Sequence, residues 1–255
     1  MNLIACSSPE ERAWEKATDQ IEDGHFRIAL THLDQVIQRD GQPQWVMKAL
    51  KEAARVSFFE LKDYKRAAEY HRKIVVLSDD PLERTNSQRQ LANIYFDHLA
   101  DYSEAIVELN KLISLLNEPG ERSKYKISLA RAYYYQNAFE QSLNEVEEFL
   151  KLNQTEQERF DMLMLKGNIF LAKKDLTKAA TVFQQILKEF PKRSKSENVG
   201  LTLAVCYEEM KNYKDAIQIL KEMRDFHPIP EYLDLRIKRL EDRQRNLPGA
   251  RGFKK

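Results

Sequence analysis

The residues best suited to proton transfer or metal ligation near neutral pH are five histidines, His25, His32, His71, His98 and His227. They sit at unrelated positions. No His-Glu-x-x-His occurs, and no spacing sets two ligands on one helix face. His71 falls on the core side of an amphipathic pattern, which predicts a buried imidazole whose hydrogen bonds are satisfied. Carboxylates are plentiful, but 40 Asp and Glu lie interspersed among 41 Lys and Arg, so nothing selects one pair as acid and base. Gly249-x-x-Gly252 is followed by no helical pattern that could present N–H groups to a phosphate. The expectation is therefore no enzyme, no metal and no cofactor. Recognition chemistry is better represented. Tyr133-Tyr134-Tyr135 cannot all be buried on one helix face, so one or two rings point away from the core beside the cation of Arg131. Exposed aromatics with arginine are the residue types that carry interface energy.

The elements that position these residues repeat. Phe26…Ala29, Tyr64…Ala67, Tyr102…Ala105, Phe139…Ser142, Leu176…Ala179 and Tyr213…Ala216 each place a large residue three positions before a small one. The small residues step by about 37–38 positions, the signature of a stacked repeat array. Gly (7) and Pro (8) are scarce while good helix formers abound, which favours an all-α chain. In the fourth repeat Tyr125, Leu129, Ala132 and Tyr133 share one stripe, and Leu143, Val146, Phe149 and Leu150 form another, at helical spacing on either side of the turn Gln136-Asn137-Ala138. Small–aromatic pairs recur on the first helices as Ala92/Tyr95, Ala130/Tyr133, Gly167/Phe170 and Ala204/Tyr207. In the first two repeats Ala17 and Ala53/Ala54 stand in for them. Pro81, Pro119, Pro191 and Pro228 are expected to stop the second helices.

Gly167-x2-Phe170-x8-Ala179-x11-Pro191 and Ala204-x2-Tyr207-x8-Ala216-x11-Pro228 resemble the tetratricopeptide repeat, although the period exceeds the usual 34 or so. The resemblance implies an all-α, right-handed superhelical solenoid. Six helix pairs would occupy residues 10–228, a capping helix 229–246 and a basic tail 247–255, with Tyr232, Leu235, Ile237 and Leu240 covering the last repeat. It also implies a protein or peptide partner in a concave groove lined by first helices. Carried over by position, the groove residues are Arg89, Asn93 and Phe96; Lys124, Arg131, Tyr134 and Tyr135; and Met164, Asn168 and Leu171. The clamp that some family members use for a C-terminal carboxylate is not reproduced. Arg89-x3-Asn93 is a partial match, but Ser128 and Asp161-x3-Leu165 replace the remaining polar and basic positions.

Residues 1–9 read as a tether. Leu3-Ile4-Ala5-Cys6 resembles a bacterial lipobox, with Cys6 as lipid acceptor and Ser7 favouring the outer membrane. A signal peptide's basic and apolar stretches are not among the five residues before Cys6, so this reading requires them upstream of Met1. On it, the chain is similar to small tetratricopeptide lipoproteins such as BamD-type outer-membrane assembly factors and type IV pilus pilotins. It would face the periplasm and touch the membrane only through its lipid. A cytoplasmic adaptor of a motility or signalling complex and a cell-wall glycan-binding protein are the alternatives. Cys206, within Leu203-Ala204-Val205-Cys206-Tyr207, is expected to be a buried, unreactive thiol. Net charge is +1, and the basic runs in the loop 188–195 and at 236–245 carry acidic neighbours, which argues against nucleic acid.

Overall fold

The computed structural model describes residues 8–39, 42–152 and 154–246, and all regular structure among them is helical. In chain order the helices are α1 (Pro9–Glu22), α2 (Phe26–Ile37), α3 (Pro43–Arg55), α4 (Tyr64–Leu77), α5 (Pro81–Asn93), α6 (Tyr102–Leu115), α7 (Pro119–Tyr135), α8 (Phe139–Leu150), α9 (Glu156–Ala172), α10 (Leu176–Glu189), α11 (Pro191–Ser196), α12 (Val199–Glu209), α13 (Tyr213–Met223) and α14 (Pro230–Arg245). The chain forms two compact units, Met1–Gln136 and Asn137–Lys255. Within the first unit each helix from α1 to α6 packs on its successor, and the series ends at α7. Within the second, α9 packs on α8 and α10, and α12 on α10 and α13, with α14 closing on α13.

The small anchor residues do what their spacing predicts. Ala29, Ala67, Ala105, Ser142, Ala179 and Ala216 are all fully buried. At Gly167 a Cβ would lie 2.7 Å from the Phe183 ring, so only glycine lets these helices approach so closely. Pairing between repeats is reinforced at the surface: Tyr70 donates to Asp34 (2.7 Å) and Arg193 pairs with Asp161 (2.9 Å). Buried Glu108 is satisfied by Arg72, Lys111 and the Gln88 amide. Burial pushes the Cys206 thiol up to about 11, which leaves it protonated and inert.

The turn between first and second helices follows one rule. Gly24, Lys62, Ala100, Asn137, Lys174 and Lys211, one in every pair, have positive φ between 49° and 76°. Five of the six lack the conformational freedom of glycine, and the position is set by the repeat rather than by residue type. Counted from the first helical residue, this left-handed residue comes 19 positions on in the second and third repeats (Pro43 to Lys62, Pro81 to Ala100). It comes 18 on in the fourth and fifth (Pro119 to Asn137, Glu156 to Lys174). The extra residue is absorbed as a single π-helical turn, Val56–Glu60 after α3 and Ile94–His98 after α5. Widened bonds from Leu61 N–H to the Val56 carbonyl (3.1 Å) and from Leu99 N–H to the Ile94 carbonyl (3.0 Å) close it. The two longer steps of the sequence repeat are these two turns.

Three expectations are corrected. Pro81, Pro119 and Pro191 open α5, α7 and α11 rather than ending the helices before them, because a missing N–H costs nothing at the first helical position. Pro228 lies in the α13–α14 link and Pro230 opens α14. The segment expected as a basic loop contains α11. There Arg193 stacks on Phe160 at 3.7 Å while pairing with Asp161. On α14 the covering stripe is Leu233, Ile237 and Leu240; Tyr232 and Leu235 are 48% and 66% exposed, on the other side of the helix. Cys6 and the tail 247–255 lie outside the described residues.

Candidate partner-binding site

The polar groove residues of the first unit are largely spoken for. Arg89 reaches from α5 to Glu121 on α7 (3.3 Å) and donates to Asn86 (2.6 Å), so it ties neighbouring first helices together. Lys124 is exposed, its Nζ 5.5 Å from the Tyr125 ring centroid, while Asn93 and Arg131 are half-buried. Of the three tyrosines, Tyr133 packs against the core, Tyr134 is half-buried and Tyr135 is 50% exposed. Asn168, Met164 and Leu171 belong to the second unit. There Asn168 is half-buried on α9, and Met164 and Leu171, also half-buried, pack against that unit's core. Asp161 is engaged by Arg193 and Leu165 is buried, so an acid and an apolar residue stand where the last basic pair of a carboxylate clamp would be.

What the structure does bring together is a set of rings. Phe96, at the π-turn after α5, meets Tyr102 of α6 edge-on at 5.8 Å and Tyr135 of α7 at 6.2 Å, and Tyr102 lies 4.9 Å from Tyr135. Tyr134 adds a fourth ring, 5.6 Å from Tyr135. One repeat earlier the arrangement recurs: Phe58 meets Tyr64 at 5.3 Å and His98 at 4.9 Å, and His98 stacks on Tyr64 at 4.4 Å. Phe59, 65% exposed, leans on Phe58 at 4.8 Å. Sequence reasoning registered Tyr64 and Tyr102 only as repeat anchors and missed Phe58, Phe59 and His98. The available signal was the one-residue difference in period, which marks the two repeats whose first helices end in a π-turn.

A cleft of about 430 Å³ opens between α3 and α5 above α4. Phe58, Phe59 and Leu82 form its apolar wall, Asn86 and Gln90 its polar one, and His71 and Ile74 line it from α4. Lys51 and Glu83 pair across it at 2.6 Å. His71 is not the satisfied core histidine expected. Its Nδ1 is buried with no hydrogen-bond partner, and burial lowers its pKa to about 4. The Ser57 hydroxyl, in the π-turn after α3, is likewise buried without a partner. Among the described residues no cluster of His, Cys, Asp and Glu is arranged to hold a metal, and no helix is long and apolar enough to cross a membrane.

Tetratricopeptide repeat models match residues 127–194 and 170–237. No curated protein matches the sequence. Solved structures similar to this chain include the apo form of RapI, at 14% identity and TM-score 0.60, covering 94% of this chain and 72% of RapI. PilW, a widely conserved type IV pilus biogenesis factor, aligns at 13% identity and TM-score 0.54 over 91% of this chain and all of PilW. YrrB, a tetratricopeptide protein with an unusual peptide-binding site, aligns at 16% identity and TM-score 0.51 over 88% of this chain and 97% of YrrB. At these identities the likeness is one of fold, and the likeness to BamD-type factors is loose. The repeat models mark residues 127–237 as tetratricopeptide repeats, and the chain shares the all-α fold of these solved structures along about nine-tenths of its length.

Proposed function

We propose that this chain is a non-enzymatic scaffold of the bacterial envelope, which recruits or assembles a partner protein and is anchored by a lipid on Cys6. The tetratricopeptide fold goes with protein–protein interaction. The observation that carries the partner site is the ring cluster of Phe96, Tyr102, Tyr134 and Tyr135, which leaves Tyr135 half-exposed beside the cation-bearing face of α7. Its aromatic surface orders little side-chain entropy on binding, since each ring is already held by its neighbours. The peptide-binding site named for YrrB and the pilus-biogenesis role named for PilW are in keeping with this reading. The anchor rests on Leu3-Ile4-Ala5-Cys6. Partners are protein or peptide, with no nucleic acid, because the basic helices α11 and α14 spend Arg193 and Arg236 on Asp161 and Glu208.

Two experiments test it. Tyr134→Ala with Tyr135→Ala is expected to abolish partner capture from an envelope extract without loss of helix content; unchanged capture would move the site elsewhere. Intact mass and membrane fractionation of the protein expressed from its native locus test the anchor. A mature chain beginning at Cys6 and carrying acyl mass is expected. A soluble chain with a free Cys6 thiol would remove the envelope and leave a cytoplasmic adaptor.

A further inference from the structure

The two ring clusters are one motif used twice. A ring at a π-turn (Phe58, Phe96), the ring opening the next helix (Tyr64, Tyr102) and a ring near the end of the following first helix (His98, Tyr135) meet in both cases. One repeat earlier the corresponding residues are Gln20, Phe26 and Glu60, and one repeat later Ala172 ends the series, so the motif belongs to the second and third repeats alone. A further position runs beside it. Phe59 and Tyr134 lean on the two clusters, and between them in the repeat register stands Asp97, which is exposed. Neighbouring acids are engaged: Glu60 pairs with Arg55 (3.0 Å), and Asp63 and Asp101 cap α4 and α6. Asp97 has no ion-pair or hydrogen-bond partner among the described residues. The turn edge therefore reads ring, anion, ring, one feature per repeat.

Ring contacts join successive repeats along this edge into one continuous strip. Phe58 at the end of α3 touches His98 at the end of α5, so these helix ends lie side by side. A polyproline II strand advances about 3.1 Å per residue with three residues per turn, so a short extended segment can present side chains to successive features along this edge. We infer that the first-to-second-helix turn edge of the second and third repeats binds a proline-rich segment in the polyproline II conformation, with prolines against the two ring clusters and a basic residue facing Asp97. Aromatic surfaces suit this ligand, because its backbone is pre-extended and loses little entropy on docking. The inference rests on the reading of the chain as a protein-binding scaffold and names the partner segment.

The test titrates the full chain into a short fluorescein-labelled proline-rich peptide carrying one central arginine, and into its twin with glutamate in that place. Saturable binding that prefers the arginine peptide is expected. Phe59→Ala should weaken it about tenfold or more, and Asp97→Lys should reverse the preference. Both side chains are exposed, so thermal melts should be unchanged. Absence of saturable binding, equal affinity in all variants, or a preference untouched by Asp97→Lys would each overturn the inference. So would a chito-oligosaccharide binding these rings where the peptide does not. A captured partner without a proline-rich stretch would overturn it while leaving the scaffold reading standing, whereas failure to capture any partner counts against that broader reading.

Discussion

At the scale of single residues, His71 connects folding to pH. Its folded pKa, near 4, lies below the ordinary value of 6.5 because burial disfavours the imidazolium and Nδ1 has no partner. The unfolded chain therefore binds more protons between those values. The stabilising contribution is complete above about pH 6.5 and is lost as pH falls towards 4, on the order of 3 kcal/mol in all. His71→Leu keeps an apolar body there and removes the orphaned nitrogen. Denaturant melts of this variant should show stability equal to or slightly above wild type at pH 7, and a shallower loss between pH 6.5 and 4. Parallel curves for the two proteins would mean the loss comes from carboxylates such as Glu83, which Lys51 and Ser78 hold below its ordinary value. The burial of residue 71 was legible from helical periodicity. The missing partner was not, because hydrogen bonding across a cleft depends on which side chains three helices bring together.

At the scale of elements, the left-handed turn residue is the least legible feature and the easiest to exploit. Nothing in Lys62, Ala100, Lys174 or Lys211 announces positive φ; Gly24 and Asn137 alone are residue types that favour it. Each non-glycine pays a steric cost there of about 1 kcal/mol. Ala100→Gly, at φ 49°, should raise the unfolding free energy by roughly that amount, less the entropy glycine adds to the unfolded chain. An equilibrium melt showing a loss of 1 kcal/mol or so would place Ala100 in another conformation. The prolines teach a related lesson. Their position was correctly read as a boundary, but a boundary has two sides, and the missing N–H fits the start of a helix better than its end. The π-turns were encoded in the sequence as one extra residue in each of two repeats. Spacing alone located the extra residue within a repeat only loosely, and the widened hydrogen bonds at Leu61 and Leu99 show where it went.

At the scale of the whole molecule, the repeat made the fold readable without any knowledge of function. Small anchors at a fixed period fix helix pairs, and every one of those anchors is buried. The candidate site was legible only in part. Tyr134 and Tyr135 were found because three consecutive tyrosines exceed what one helix face can bury, whereas Phe58, Phe59 and His98 emerge from contacts between repeats. Met164 and Leu171, which the repeat register sets among the groove positions, also pack against the core of the second unit. Composition and spacing carry no information about the partner's identity, since recognition residues are not constrained by the repeat. The central claim is that the ring-bearing edge of the first unit holds a partner protein. The most direct measurement is photo-crosslinking in cells, with a photoreactive amino acid installed in turn at Phe59, at Tyr135 and, as a control, at Val76 on α4, which is 75% exposed. One and the same partner is expected from positions 59 and 135 and none from 76. Crosslinks from 76 alone, or no partner from either ring position, would contradict it.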